Sequence, residues 1–275
     1  INTEHSDFGV ALYGDDKVVF AAASDSVTSK LYKWNKQPYL DLFVANIDND
    51  GNISNPVLFS DEINTKTHEA TPVFTKDGKT MYFCRTNEKK VKLPHEKVAN
   101  IKIYKAEKVD GKWSNIEELP FNSDAYSCGH PTLSPDEKKL FFTSDMPGTL
   151  GMMDIFEIDI QEDGSFREPR NLGENVNTEK REMFPYMSEY NTLYFSSDGH
   201  LGLGNLDVFT SQIEEGKFNK ATNLGSSVNS SLDDFAFTIE EASDKGFLSS
   251  NREGSADDDI YYFKRKEHIK PVYLV

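Results

Sequence analysis

The chain reads as an all-β protein, a five-bladed β-propeller of four-stranded antiparallel blades. Three observations predict it: one string of strand and turn signals recurs five times, the recurrence spans nearly the whole chain, and the ends fall at a repeat boundary. A single four-stranded meander leaves both faces of its sheet open, so copies must stack around an axis to bury them.

Each repeat opens on a short apolar segment: Phe8–Leu12, Thr71–Phe74, His130–Leu133, Phe184–Met187 and Phe235–Thr238. Aligning Gly9, Pro72, Pro131, Pro185 and Ala236 gives spacings of 63, 59, 54 and 51 residues. That period lies just above the ~40–50 residues of familiar propeller blades. A polar turn follows, at Gly14–Lys17, Lys76–Lys79, Pro135–Lys138, Ser188–Asn191 and Ser243–Lys245. Gly, Asp and Asn tolerate the positive φ of a tight hairpin, so each is a β-turn.

The second strand is apolar throughout, as at Val18–Phe20, Met81–Phe83, Leu140–Phe142, Leu193–Phe195 and Gly246–Leu248. Such runs suit a strand covered on both faces. After a polar loop the third strand begins on an acid: Asp41, Asp154, Asp207 and Asp259, with Lys102 in the second repeat. A turn ending in Gly51, Gly111, Gly164 or Gly216 leads to the fourth strand, and then to an Asn-Ser/Thr linker such as Asn64-Thr65 or Asn177-Thr178. Ile1-Asn2-Thr3 matches that linker, and Lys270–Leu274 reads as a closing fourth strand. The blades are placed at about 6–64, 69–122, 129–177, 182–229 and 233–275, in one domain.

Glu69-Ala-Thr-Pro72 with Asp77-Gly-Lys79 and Tyr82-Phe83, Tyr194–Gly199 running on to Asp207-Val-Phe209, and Leu248–Arg252 with Asp259-Ile-Tyr261 together resemble the WD40-like (PD40) repeat of periplasmic propellers. Such repeats occur in the translocation protein TolB and in OmpA-family envelope lipoproteins. The linkers Leu172–Asn177 and Leu224–Asn229 are most similar to the Bacteroidota OmpA-family version, one member of which belongs to the type IX secretion machinery. The resemblance implies a periplasmic, outer-membrane-tethered protein that binds other envelope proteins. The second repeat departs from the pattern at Lys102, and the last lacks the proline of its first strand.

The 275 residues carry 46 acidic and 30 basic side chains, a formal net charge of −16. That field repels nucleic acid and anionic lipid. No run approaches the roughly 18–20 apolar residues of a membrane helix, and the polar opening Ile1–His5 carries no signal-peptide pattern, so no membrane insertion is expected. Cys84 and Cys128 are too few for a disulfide framework. The six histidines are scattered, and neither Gly-x-Ser-x-Gly nor His-Glu-x-x-His occurs, so catalysis and a cofactor are not expected.

Asp41, Asp154, Asp207 and Asp259 begin strands of separate blades, so they are read as structural acceptors for backbone N–H groups of the adjoining loops rather than as a metal ring. Asp48–Gly51 and Asp257–Asp259 lack the spacing of a calcium loop and read as turns. Glu69, Glu182 and Asp233 share one phase, and His5 and His68 fall in equivalent linkers. These are expected around the axis, on the face that bears the linkers and the second-to-third loops, where they form either a site for a cationic group or a solvated rim. Two inserts stand out on the same face. The 26–38 loop carries Tyr32, Trp34, Lys33 and Lys36; the 87–100 loop carries Lys92 and His95. Together they make a basic, aromatic-bearing patch on an acidic body, the leading candidate for a protein-binding site. Trp34 and Tyr126 also suggest a second reading, a glycan- or peptidoglycan-binding module; a propeller hydrolase or lyase is the third.

Overall fold

A computed structural model describes every residue except 29, 34, 89, 93–96, 253–256 and 267–275. The chain is all-β: the described residues contain no helix and form five antiparallel blades in a propeller. Blade 1 is Asp7–Leu12, Lys17–Ser24, Tyr39–Ile47 and Ile53–Leu58. Blade 2 is Glu69–Phe74, Thr80–Thr86, Ile101–Val109 and Lys112–Glu118, with a small hairpin, Val91–Lys92 and Lys97–Val98, in its second-to-third loop. Blade 3 is Cys128–Leu133, Lys139–Ser144, Asp154–Asp159 and a fourth strand reduced to Arg170–Asn171. Blade 4 is Glu182–Met187, Thr192–Ser197 and Asp207–Glu214, its outer edge split into Lys217–Phe218 and Thr222–Asn223. Blade 5 shows Asp234–Glu240, Lys245–Ser250 and Asp259–Lys264; the expected strand at Lys270–Leu274 lies outside the described residues.

The five first strands line the axis, each packed on its neighbours, with blade 5 against blade 1. The second strands are sealed between blades, as their apolar composition predicts: Val18–Ala23, Met81–Cys84, Leu140–Ser144 and Leu193–Ser197 are buried. The core is therefore a series of inter-blade layers, such as Val19, Leu42, Met81, Phe83 and Trp113 between blades 1 and 2.

Every first strand carries a β-bulge at the same place. Its left-handed residue is Gly9, Thr71, His130, Phe184 or Ala236, with φ from 45° to 71°. This corrects the sequence alignment by one residue in three repeats: Gly9 and Ala236 correspond to Thr71, His130 and Phe184, not to the prolines that follow. The prolines mark the second bulge position, and a bulge interrupts the two-residue period from which register is read.

The linkers are built on a second recurrent device. Asn64 accepts from Leu42 N at 2.8 Å and donates to Leu42 O at 2.9 Å. Asn122 does the same to Ile103, Asn177 to Ile155 and Asn229 to Val208. Each linker asparagine thus clasps the third strand of the blade it leaves. Asn2 clasps Ile260 of blade 5 in the same way and joins the two ends of the ring.

Candidate functional site

The residue that starts each first strand is wholly buried: Asp7, Glu69, Cys128, Glu182 and Asp234. Glu69 accepts from Thr65 N and Oγ1 at 3.0 and 2.6 Å, and Glu182 from Thr178 N and Oγ1 at 2.8 and 2.7 Å. Asp7 accepts from Thr3 N at 2.6 Å, and Asp234 from Ser230 N. The sequence reading is corrected twice here. The acid in phase with Glu69 and Glu182 is Asp234, not Asp233, which pairs at the phase of His68 and Arg181 instead. Ser6, not His5, holds that phase in blade 1. Nor do these carboxylates offer themselves to a ligand, because they are used to pin the linkers. Burial pushes Asp7, Glu69 and Glu182 above the usual carboxylate range, while the linker bonds oppose it.

At the third-strand acids the environments differ. Asp154 accepts from Leu150 N at 2.6 Å, Gly151 N at 3.3 Å and Asn171 Nδ2 at 2.6 Å. Asp207 accepts from Leu203 N, Gly204 N and Asn223 Nδ2. A side chain at Gly202 would collide with the Asp207 carboxylate, which accounts for the glycine. Asp259 opens its strand opposite Ser250. Asp41 departs from the expectation: it is buried, yet it lacks the loop bonds that Asp154 and Asp207 accept, with only the Val27 N–H directed at its carboxylate. Burial, with the nearby charge of Glu69, pushes it up to about 7. Lys102 replaces the acid in blade 2 and is held by Glu118 at 2.8 Å and Asp124 at 2.7 Å, so the reversed charge comes with two counter-charges.

Of the basic patch, Trp34 and His95 lie outside the described residues. Lys33, Lys36 and Lys92 are exposed. Tyr32 is not a free aromatic: it packs edge-on against His68 at 4.6 Å and against Tyr39 at 5.7 Å, which docks the insert onto the body. Burial pulls His68 down to about 4, so it is neutral there. No hydrogen bond or ring contact among the described residues joins Lys33 or Lys36 to Lys92. Tyr126 is likewise engaged, donating to Phe121 O at 2.9 Å.

Sequence reasoning missed the apolar side chains of that face. Met152 is 62% and Leu201 68% exposed, and Leu150, Leu203 and Leu232 are exposed with them. The chain contacts make them neighbours. Met152 N donates to Lys180 O, Gly199 abuts Thr178, and Gly204 sits against the backbone of Ser230–Leu232. The result is an apolar crescent over the second-to-third loops of blades 3 and 4 and the linkers beside them. The signal was present as Leu150-Gly-Met-Met153 and Leu201-Gly-Leu-Gly204, apolar residues inside loops of an acidic chain.

The opposite face holds an axial cavity of about 440 Å³. Pro72, Pro131, Pro185, Val10 and Phe237 wall it, and residues at the hairpin turns of blades 1 and 5 flank its mouth. Its floor is aromatic. Phe184 stacks on His130 at 3.8 Å, and Phe8 and Phe235 lie 6.2 and 4.8 Å from Phe184. His130 accepts from Phe184 N through Nδ1 at 3.3 Å, and its own N–H donates to the thiol of Cys84 at 3.0 Å. Burial pulls His130 down to about 3 and pushes Cys84 up to about 11. Among the described residues, no group of three or more His, Cys, Asp or Glu side chains is gathered as metal ligands would be.

The fold is shared with solved structures. The chain is similar to a TolB from Agrobacterium tumefaciens described as putative, with a TM-score of 0.50 at 15% identity over 82% of this chain and 73% of that one. It is similar to an α-L-arabinofuranosidase from Lactobacillus brevis, with a TM-score of 0.59 at 12% identity over 98% and 93% of the two chains. A protein of unknown function from Dyadobacter fermentans aligns with a TM-score of 0.54 at 9% identity, over 92% and 74%. At such identities the likeness is one of fold. No family model matches the sequence, and no curated protein does.

Proposed function

We propose that this chain is a non-catalytic interaction module of a bacterial cell-envelope assembly, and that it docks a protein partner on its linker-side face. The observation that carries the reading is the apolar crescent of Leu150, Met152, Leu201, Leu203 and Leu232. Five exposed apolar side chains on adjoining loops of an acidic protein favour a surface that another molecule covers. The periplasmic setting is supported by the resemblance of the repeat motifs at Glu69–Phe83 and Tyr194–Phe209, and the finer placement in an outer-membrane-tethered complex of the type IX kind by that of the linkers Leu172–Asn177 and Leu224–Asn229. Lys33, Lys36 and Lys92, on the same face, would widen the contact and steer an acidic part of the partner.

The test is capture of proteins from envelope extract by the intact chain, by the pair Met152→Glu with Leu201→Glu, and by a control pair, Leu12→Glu with Val57→Glu, placed elsewhere on the surface. One defined partner retained by the control and lost with the first pair supports docking on the crescent. Equal capture by all three, or binding of purified peptidoglycan in place of any protein, contradicts it.

A further inference from the structure

The axial cavity lies on the face away from the crescent, and its lining sorts by chemistry along its depth. At the base the wall is apolar and stiff: Pro72, Pro131 and Pro185 come from three successive blades, with Val10, Phe184 and Phe237 between them. At the mouth stand Asp15, Asp48 and Glu240, all exposed, against one ammonium, Lys245, which is already bonded to Asn49 O. Asp48 is turned inward on its own loop, where it accepts from Asp50 N, Asn52 N and Asn52 Nδ2. These bonds hold Asp48 ionised, and Glu240 likewise accepts from Ser243 Oγ, so Asp15, Asp48 and Glu240 together set a negative field at the opening.

His130 supplies a directional group at the base. Its Nδ1 accepts the Phe184 N–H, which places the ring proton on Nε2. That donor has no hydrogen-bond partner among the described residues, and the ring is accessible from the cavity. The same level of the channel holds the five left-handed bulge residues, four of them not glycine and one, Thr71, β-branched. Backbone held in a sparsely populated region persists where the surrounding fold imposes it, often at a binding site.

We infer that the axial cavity binds an apolar ligand of dipeptide size that presents a carbonyl-type oxygen to His130 Nε2 and carries a single positive charge at its outer end, beside Asp15 and Glu240. The proline walls take the apolar body without rearrangement. The free N–H fixes its orientation, and the mouth selects the sign of its charge. The volume sits within the ~300–1,000 Å³ of small-ligand pockets, and the pattern of apolar walls with few directed polar groups is the one such pockets use. The site is independent of the docking face, so either reading can fail alone.

The experiment is titration calorimetry of the whole chain with three probes of one body: leucyl-phenylalaninamide, its N-acetyl derivative, and N-acetyl-leucyl-phenylalanine. These are a cation, its neutral counterpart and an anion. The cation should bind about three- to tenfold tighter than the neutral probe at low salt, and this advantage should vanish near ~1 M salt, where the screening length is about 3 Å. Asp15→Asn with Glu240→Gln, both exposed at the mouth, should reduce the preference for the cation at least twofold and leave the neutral probe's affinity unchanged. His130→Asn keeps an acceptor for the Phe184 N–H and suits the left-handed backbone, but removes the Nε2 donor. It should weaken all three probes by about tenfold, the loss of one hydrogen bond. His130→Gln restores a donor at the Nε2 position and should recover part of that loss. No binding by any probe, equal binding of cation and anion, or affinity indifferent to both variant sets overturns the assignment.

Discussion

Asn2 holds Ile260 on both sides of its peptide, accepting from its N–H at 2.9 Å and donating to its carbonyl at 3.1 Å across 258 residues of chain. The four interior clasps span only 19 to 22 residues. The same bond pair therefore has different work to do: inside the ring it fixes a linker, and at the seam it joins blade 5 to blade 1.

Replacing Asn64, Asn177 or Asn229 with Ala removes the two hydrogen bonds to the clasped peptide and strands both of its groups, and at Asn177 and Asn229 it also removes a bond to Asn171 or Asn223. Each should cost about 2–3 kcal/mol in urea unfolding, and Asn2→Ala a similar or smaller amount. What should set Asn2→Ala apart is location. Hydrogen exchange should rise selectively in Asp7–Leu12 and Asp259–Lys264, whereas Asn177→Ala should loosen the 177–182 linker and the start of Asp154–Asp159. Uniform acceleration in both variants would refute a distinct seam.

Asp41 predicts a signed pH effect. Its proton is held more tightly in the folded chain, up to about 7 against an ordinary 3.8. Its contribution therefore favours folding at low pH and is lost as pH rises from 3.8 through about 7. Asp41→Asn should stabilise the protein by about 1–3 kcal/mol at pH 8 and by almost nothing near pH 4. A melting-temperature difference that does not change with pH would contradict the burial account.

Asp207→Ala should cost about 1–3 kcal/mol, because the N–H groups of Leu203 and Gly204 and the amide of Asn223 lose their acceptor. Gly202→Ala should destabilise through the same carboxylate, which its methyl would displace. If chemical denaturation left both variants at wild-type stability, the aspartate would not be a structural hub.

Ala236 occupies a bulge with φ near 49°, where Gly9 has 71°. Ala236→Gly should be neutral to stabilising by about 1 kcal/mol, and Gly9→Ala should destabilise by a comparable amount. Opposite signs from one substitution pair, read by thermal melts, are the signature of a backbone effect; equal signs would point to packing.

Much of the fold was legible because its signals are local. The aromatic second strands, the hairpin turns and the period all lie within one blade, and all five copies agree. Asp233 stands in for Asp234 in the sequence alignment because the last repeat has no proline at Phe237 to fix its phase, and Ala236 is set against the prolines one position too early. The asparagine clasps were visible as a repeated Asn-Ser/Thr but had no assignable role, since each partner lies a whole strand pair away. Tyr32 looked like a free anchor, yet it is spent against His68, a contact between residues 36 positions apart. The exposed leucines were passed over because loop position, not residue type, makes them unusual. The axial cavity could not be read at all, as it exists only once five first strands meet.

The most direct measurement is site-specific photo-crosslinking in cells of the source organism, with the photoreactive side chain at Leu201 and, separately, at Leu12. The account predicts one discrete protein adduct from Leu201 on the crescent and none of that mass from Leu12 on the hairpin face. The same adduct from both positions, or none from Leu201, would contradict docking through the linker-side face.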